Sequence, residues 1–191
     1  MTQVGIKSEV TRAEYAVAGD FCRIFAQNMN GLYWLSFLLT ANSTKAEECF
    51  VSGLDDSLGS NRVFKEWAQS WARRTIIQNA IRLMRPAPEH TGPLSTWTPE
   101  SPDVEAIVRN VPLAALLGLK TFERFVFVMS VLERYSDQDC KTLLGCSGRD
   151  IVRARSQALM RMATFEQIPV PSVTFGAGNL FMQRRLVVET A

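Results

Sequence analysis

The chain has 191 residues, of which 47% are apolar and 21% charged, and its formal net charge is +2. That length allows one or two domains, and that balance is ordinary for a globular soluble protein and does not demand a polyanionic partner. No apolar run reaches membrane-spanning length and the N-terminus lacks a basic-then-apolar signal pattern, so no membrane insertion and a cytoplasmic location are expected.

Residues 1 to about 12 are polar. Over residues 14–28 the apolar side chains Ala18, Phe21, Cys22 and Phe25 recur at helical spacing, and Gly31 is expected to break the pattern. Residues 32–40 start a second helix, with an apolar stripe through Leu35, Leu38 and Leu39. "STKAEE" reads as the start of a third, with Ser43 or Thr44 as cap and the acids Glu47 and Glu48 in the first turn, where they would complement the helix dipole. Gly53, Asp55, Asp56 and Gly59 argue against a long helix there. Residues 62–84 then carry a long helical pattern, with Phe64, Trp67, Trp71, Ile77, Ile81 and Met84 on one stripe. Residues 85–102 hold five prolines and no helical period, which marks an extended linker.

Beyond the linker, residues 104–110 and 113–117 are short helical candidates. "TFERFVFVMSVLERY" (residues 121–135) is long enough for a core helix, although its β-branched and aromatic content would also suit a buried strand. Ser136 and Asp139 have capping-box spacing, a helix with Cys140, Leu143 and Leu144 on one face follows, and Gly145 ends it. Ser147 and Asp150 repeat the box before a basic helix. The expected fold is all-α, with two helical domains (13–85 and 103–165), a proline-rich linker (86–102) and a C-terminal extension (166–191) of unassigned role.

Charge is concentrated in two places. Residues 62–85 carry six basic side chains against Glu66 alone, and residues 141–161 carry five against Asp150 alone. Two local stripes on a near-neutral chain suit patchwise contact with nucleic acid, and they suit solvated helix faces equally. The second stripe lies in a helix, a glycine turn and a second helix, the pattern of a helix-turn-helix. There Ile151, Ala154, Ala158 and Met162 would seat the helix, while Arg149, Arg153 and Gln157 would face bases and Ser147 a phosphate. Arg155 falls beside the buried stripe and has no assigned role at this level.

Catalysis finds little support. The four cysteines (Cys22, Cys49, Cys140, Cys146) match no zinc spacing, and the single histidine, His90, stands in the linker. "GCSG" (residues 145–148) invites a nucleophile, but Cys146 at an apolar position is better explained by packing. No metal or cofactor is expected.

In order and content, "LYWLSFLLTANSTKAEE", "FKEWAQSWARRTIIQNAIRLM", the linker, and "LKTFERFVFVMSVLERYSDQDCKTLLGCSGRDIVRARSQALMRM" resemble an extracytoplasmic-function type RNA polymerase sigma factor, from about Phe21 to Met162. The segment between Ala46 and Trp67 departs from that family in being shorter and in carrying "CFVSG" after "AEE". The resemblance implies a non-catalytic promoter-recognition subunit, with RNA polymerase core and promoter DNA as partners and an anti-sigma-type regulator as a further one. It would place Glu47 and Glu48 against polymerase. Asn61, Arg62, Trp67, Arg73 and Arg74 would meet the −10 element as single strand, and Ser147, Arg149, Asp150, Arg153 and Gln157 the −35 duplex. The alternative is a diverged helix-turn-helix regulator that no longer docks on polymerase.

Overall fold

The structure is a computed structural model that describes residues 15–60, 63–88 and 113–166, with side chains as far as Thr164. Most of the expected linker, the candidate helix at 104–110, His90 and the extension from 167 onward lie outside the described residues. Among the described residues the secondary structure is helical, and the only β pairing is an isolated bridge between Tyr15 and Phe64. The all-α expectation holds.

Helix α1 (Ala18–Gln27) begins where Val17 is extended, and the Asp20 carboxylate accepts from the Val17 N–H at 3.2 Å. It buries Phe21 and Phe25, while Cys22 faces outward. The break expected at Gly31 occurs at Asn28, whose backbone leaves helical geometry. Gly31 lies inside α2 (Met29–Thr40), exposed in its first turn. A glycine there costs about 1 kcal/mol, which the burial of Leu32, Leu35, Leu38 and Leu39 along the same helix outweighs.

Ala41 adopts a left-handed conformation (φ 52°) and ends α2. Asn42, and not Ser43 or Thr44, caps α3 (Ser43–Leu58), its Oδ1 accepting from the Lys45 N–H at 2.9 Å. The helix does not stop at Gly53, as expected, but runs to Leu58. Gly53 is a packing site: a Cβ there would lie 2.5 Å from Ile76 Cδ1. Its carbonyl accepts from Thr75 Oγ1 of α4 at 3.2 Å, and Ser57 Oγ lies 3.0 Å from the same hydroxyl, so buried hydroxyls tie α3 to α4. Asp56 adds to the tie by accepting from Asn79 Nδ2 at 2.9 Å and by pairing with Arg82. Residues that look like breakers in one dimension are thus cross-links between two helices.

A short 3-10 turn (Lys65–Trp67) leads into α4 (Ala68–Met84). The inner seam of α4 is Ala68, Ala72, Ile76 and Ala80, at intervals of four, with Thr75, Ile77 and Asn79 beside it. This corrects the expected stripe: Ile77 is buried, Phe64, Trp71, Ile81 and Met84 are half-buried, and Trp67 is exposed. Alanines let α3 and α4 approach, and the larger side chains flank the seam.

After the linker, α5 (Leu113–Leu117) precedes α6 (Thr121–Phe127), which passes into a π-helical turn (Val128–Leu132). Every residue from Phe122 to Met129 is buried. The stretch that could have been a strand is therefore a core helix, and it ends before Tyr135 because Arg134 turns left-handed at φ 58°. Helices α7 (Asp137–Leu144) and α8 (Gly148–Glu166) complete the described residues. One cluster of buried side chains runs from Phe25, Leu39 and Ile76 through Phe125 to Ile151 and Ala158, on both sides of the linker.

Arg124 stands at the join. Its side chain is 4% exposed. The guanidinium donates from Nε to the Leu39 carbonyl at 3.3 Å, and from Nη1 to those of Leu119 at 3.0 Å and Leu117 at 3.4 Å. These carbonyls lie at or just past the C-termini of α2 and α5, where the helix dipole is negative. Burial pulls the pKa of Arg124 below the ordinary arginine value, and the convergent carbonyls answer that cost.

Arg124→Ala is expected to destabilise the protein by about 2–4 kcal/mol, since it strands buried carbonyls at once; urea unfolding measures this, and a loss within error of zero would refute the role. Gly53→Ala should cost about 1–3 kcal/mol by overpacking. Combined with Ile76→Val, which removes the clashing Cδ1, it should cost less than the sum of the two single changes.

Candidate nucleic-acid interface

The structure sorts the two basic stripes into side chains that hold the fold together and side chains that face outward. In the stripe after the linker, Ser136 Oγ caps α7 by accepting from the Asp139 N–H at 3.1 Å. Gly145 follows with φ 63°, the left-handed conformation that ends the helix. Ser147 and Asp150 then cap α8 reciprocally. The Asp150 N–H donates to Ser147 Oγ at 3.2 Å, and the Ser147 N–H to Asp150 Oδ2 at 3.0 Å. Asp150 is accordingly occupied in the turn that aims the helix.

Ile151, Ala154, Ala158 and Met162 are all buried, as their spacing predicts, and they seat α8 on α6. Arg155 has a definite partner. Its Nη1 and Nη2 donate to Asp137 Oδ1 and Oδ2 at 2.6 and 2.9 Å, a bidentate pair that fastens α8 to the first residue of α7. Arg161 Nη1 approaches the buried carboxylate of Glu123 on α6 at 3.2 Å. Arg149 and Arg153 make no hydrogen bond or ion pair among the described residues; Arg149 is exposed and Arg153 half-exposed. Val152, Ser156 and Met160 share that outer side. Nothing in their residue types marks them as an outer face in the sequence alone. Gln157 is half-buried, closer to the seating stripe.

The stripe before the linker is sorted in the same way. Arg73 reaches across to Glu133, its Nε donating to Oε2 at 2.6 Å and an Nη donating to the other carboxylate oxygen. That pair holds the Arg73 pKa up. Arg82 is engaged with Asp56, and Lys65 lies 4.0 Å from Asp20. Arg74 is half-buried and makes no hydrogen bond or ion pair among the described residues. Trp67 stands 58% exposed, edge-on to Phe64 at 5.2 Å. Phe64 in turn stacks on Tyr15 at 5.0 Å. Asn61 and Arg62 lie outside the described residues. The structure thus brings Trp67 and Arg74 to one open surface and draws Arg73 into a bridge.

Glu47 and Glu48 are exposed on α3, past its first turn, so complementing the helix dipole does not account for them. Glu48 borders a groove of about 260 Å³ with Ser52, Asn79 and Arg82. Among the described residues no group of three or more histidine, cysteine or acidic side chains is placed to hold a metal, and no helix is long and apolar enough to cross a membrane. Burial pushes the Cys146 thiol up, away from the reactive thiolate.

No protein-family model matches the chain, and no curated protein matches it in sequence.

The Arg155 guanidinium holds the Asp137 carboxyl below its ordinary value of 3.8. A depressed folded-state pKa stabilises the protein above the ordinary value, and that contribution disappears as pH falls through the lowered one. The Tm advantage of the native protein over Asp137→Asn should therefore shrink steadily below about pH 4. An advantage that is constant from neutral pH to pH 2 would contradict this.

Proposed function

We propose that the chain is a sigma-type promoter-recognition subunit without catalytic activity of its own, working in the cytoplasm with RNA polymerase core and promoter DNA. In this reading α7 and α8 form the helix-turn-helix of a −35-reading domain, and α1–α4 form a domain for polymerase and the −10 element. The observation that carries it is the outward face of α8. Among the described residues Arg149 and Arg153 have no partner at its N-terminal end, while Arg155 and Arg161 are consumed in holding the helix down. Free arginines at the start of a well-seated helix are what base-edge readout in a major groove requires. The first-turn N–H groups of Gly148 and Arg149 would take a phosphate, since the N–H and hydroxyl of Ser147 are held by Asp150. Trp67 and Arg74 would stack and neutralise single-stranded DNA. Glu47 and Glu48, exposed on α3, would meet polymerase. An anti-sigma-type regulator would act by covering one of these faces.

The Arg73–Glu133 pair favours a second reading, a diverged helix-turn-helix regulator that binds duplex DNA and does not dock on polymerase. In it, an arginine that the promoter reading gives to the single strand serves instead as an internal strut.

Co-purification with core polymerase, followed by run-off transcription, separates the two. Binding and initiation are expected, and no association at low salt would sink the first reading. The double substitution Arg149→Ala/Arg153→Ala should weaken duplex binding by roughly tenfold to a hundredfold and make its salt dependence shallower. Unchanged binding at matched salt would defeat both.

A further inference from the structure

Between the start of α4 and the turn after α6 lies a cleft of about 360 Å³. Its walls are aromatic: Phe64, Trp67 and Trp71 on one side and Tyr135 on the other, with Ser70 and Arg74 supplying polar groups. The volume is at the small end of the range for small-molecule sites, about 300–1,000 Å³. Among the described residues no carboxylate lines it.

The walls are held in place before any ligand arrives. Trp71 Nε1 donates to Ser60 Oγ at 2.9 Å, which fixes the indole. Phe64 is clamped between Tyr15 and Trp67. Tyr135 is positioned by the left-handed Arg134 before it and by its own N–H, which donates to the Met129 carbonyl at 2.9 Å. Neighbouring Arg73 is neutralised by Glu133, so among the described residues Arg74 is the cation of the cleft's lining without an ion-pair partner. An arginine without an ion-pair partner, half-buried beside aromatic faces, favours an anion that also offers a flat apolar surface.

We propose that this cleft is a binding site for a free planar aromatic anion, an aromatic carboxylate of one or two fused rings. The ring lies against Trp71 and Phe64, and the carboxylate meets Arg74. Burial keeps the Tyr135 phenol protonated, so its O–H is available as a donor to the same ligand. Because Tyr135 comes from the far side of the linker and the other walls from before it, occupancy would bind the two parts of the chain together. The site shares Trp67 and Arg74 with the single-strand contact of the promoter reading, so the two compete for one surface, and the test below separates them.

Equilibrium dialysis of the full chain with naphthoate, and with its neutral isostere naphthamide, tests it. Naphthoate should saturate a single site and bind at least about tenfold more tightly than naphthamide, the margin expected of a charge-assisted contact. Arg74→Gln should abolish that preference by weakening naphthoate alone, and because naphthamide binding is retained, the same experiment shows that the variant is folded. Lack of saturation by the native protein would overturn the proposal, as would equal naphthoate binding by Arg74→Gln. So would a short single-stranded oligonucleotide that depends on Arg74 where naphthoate does not bind, because the cleft would then belong to a DNA strand.

Discussion

The buried guanidinium of Arg124 is the interaction on which the rest of the arrangement depends. A helix ends with carbonyls that have no partner within the helix, and such ends are costly in a core. Here α2 ends beside the turn that follows α5, and both ends are directed into the interior. One cation with several donors satisfies them together, and its own burial is tolerable only because they are there. The same contact joins residues 39 and 124, on opposite sides of the proline-rich segment. The continuous core from Leu39 to Phe125 follows from it.

Charge in this protein is best understood by what each cation touches. Arg73, Arg82, Arg155 and Arg161 each face a carboxylate outside their own helix; Arg82, Arg155 and Arg161 fasten one helix to another, and Arg73 fastens α4 to the turn after α6. Arg74, Arg149 and Arg153 have no such partner among the described residues. Surface pairs contribute little to stability on average. A bidentate pair at a helix junction has a second effect, since it fixes the angle at which the helix presents its outer face. The Arg155–Asp137 pair does this for Arg149 and Arg153, two turns and less further up α8.

Much of the fold was legible from spacing and cap chemistry alone. The seating face of α8, the two capping serines and the left-handed Gly145 could all be read because each depends on residues within four positions of one another. The failures were of one kind. Gly31, Gly53, Asp55 and Asp56 look like breakers, and α2 and α3 run through them. At Gly53 and Asp56 the partner is α4, some twenty residues away, and no local signal encodes it. Phe64 and Trp67 fall on the stripe that helical spacing predicts, but they precede α4, whose inner seam is mostly alanine.

The candidate site divides along the same line. Periodicity and cap chemistry are enough to make the described residues helical, to set a capped basic helix after a glycine turn, and to mark the residues apolar enough to seat it. These follow from backbone geometry, which acts over one or two turns. Which basic side chains are available is settled by the fold. Arg149 and Arg155 are equivalent as letters, and what separates them is a carboxylate at position 137 that the fold brings within 3 Å of one and not the other. The aromatic cleft at Arg74 is likewise a product of folding, because Tyr135 reaches it only after α6 has crossed the core.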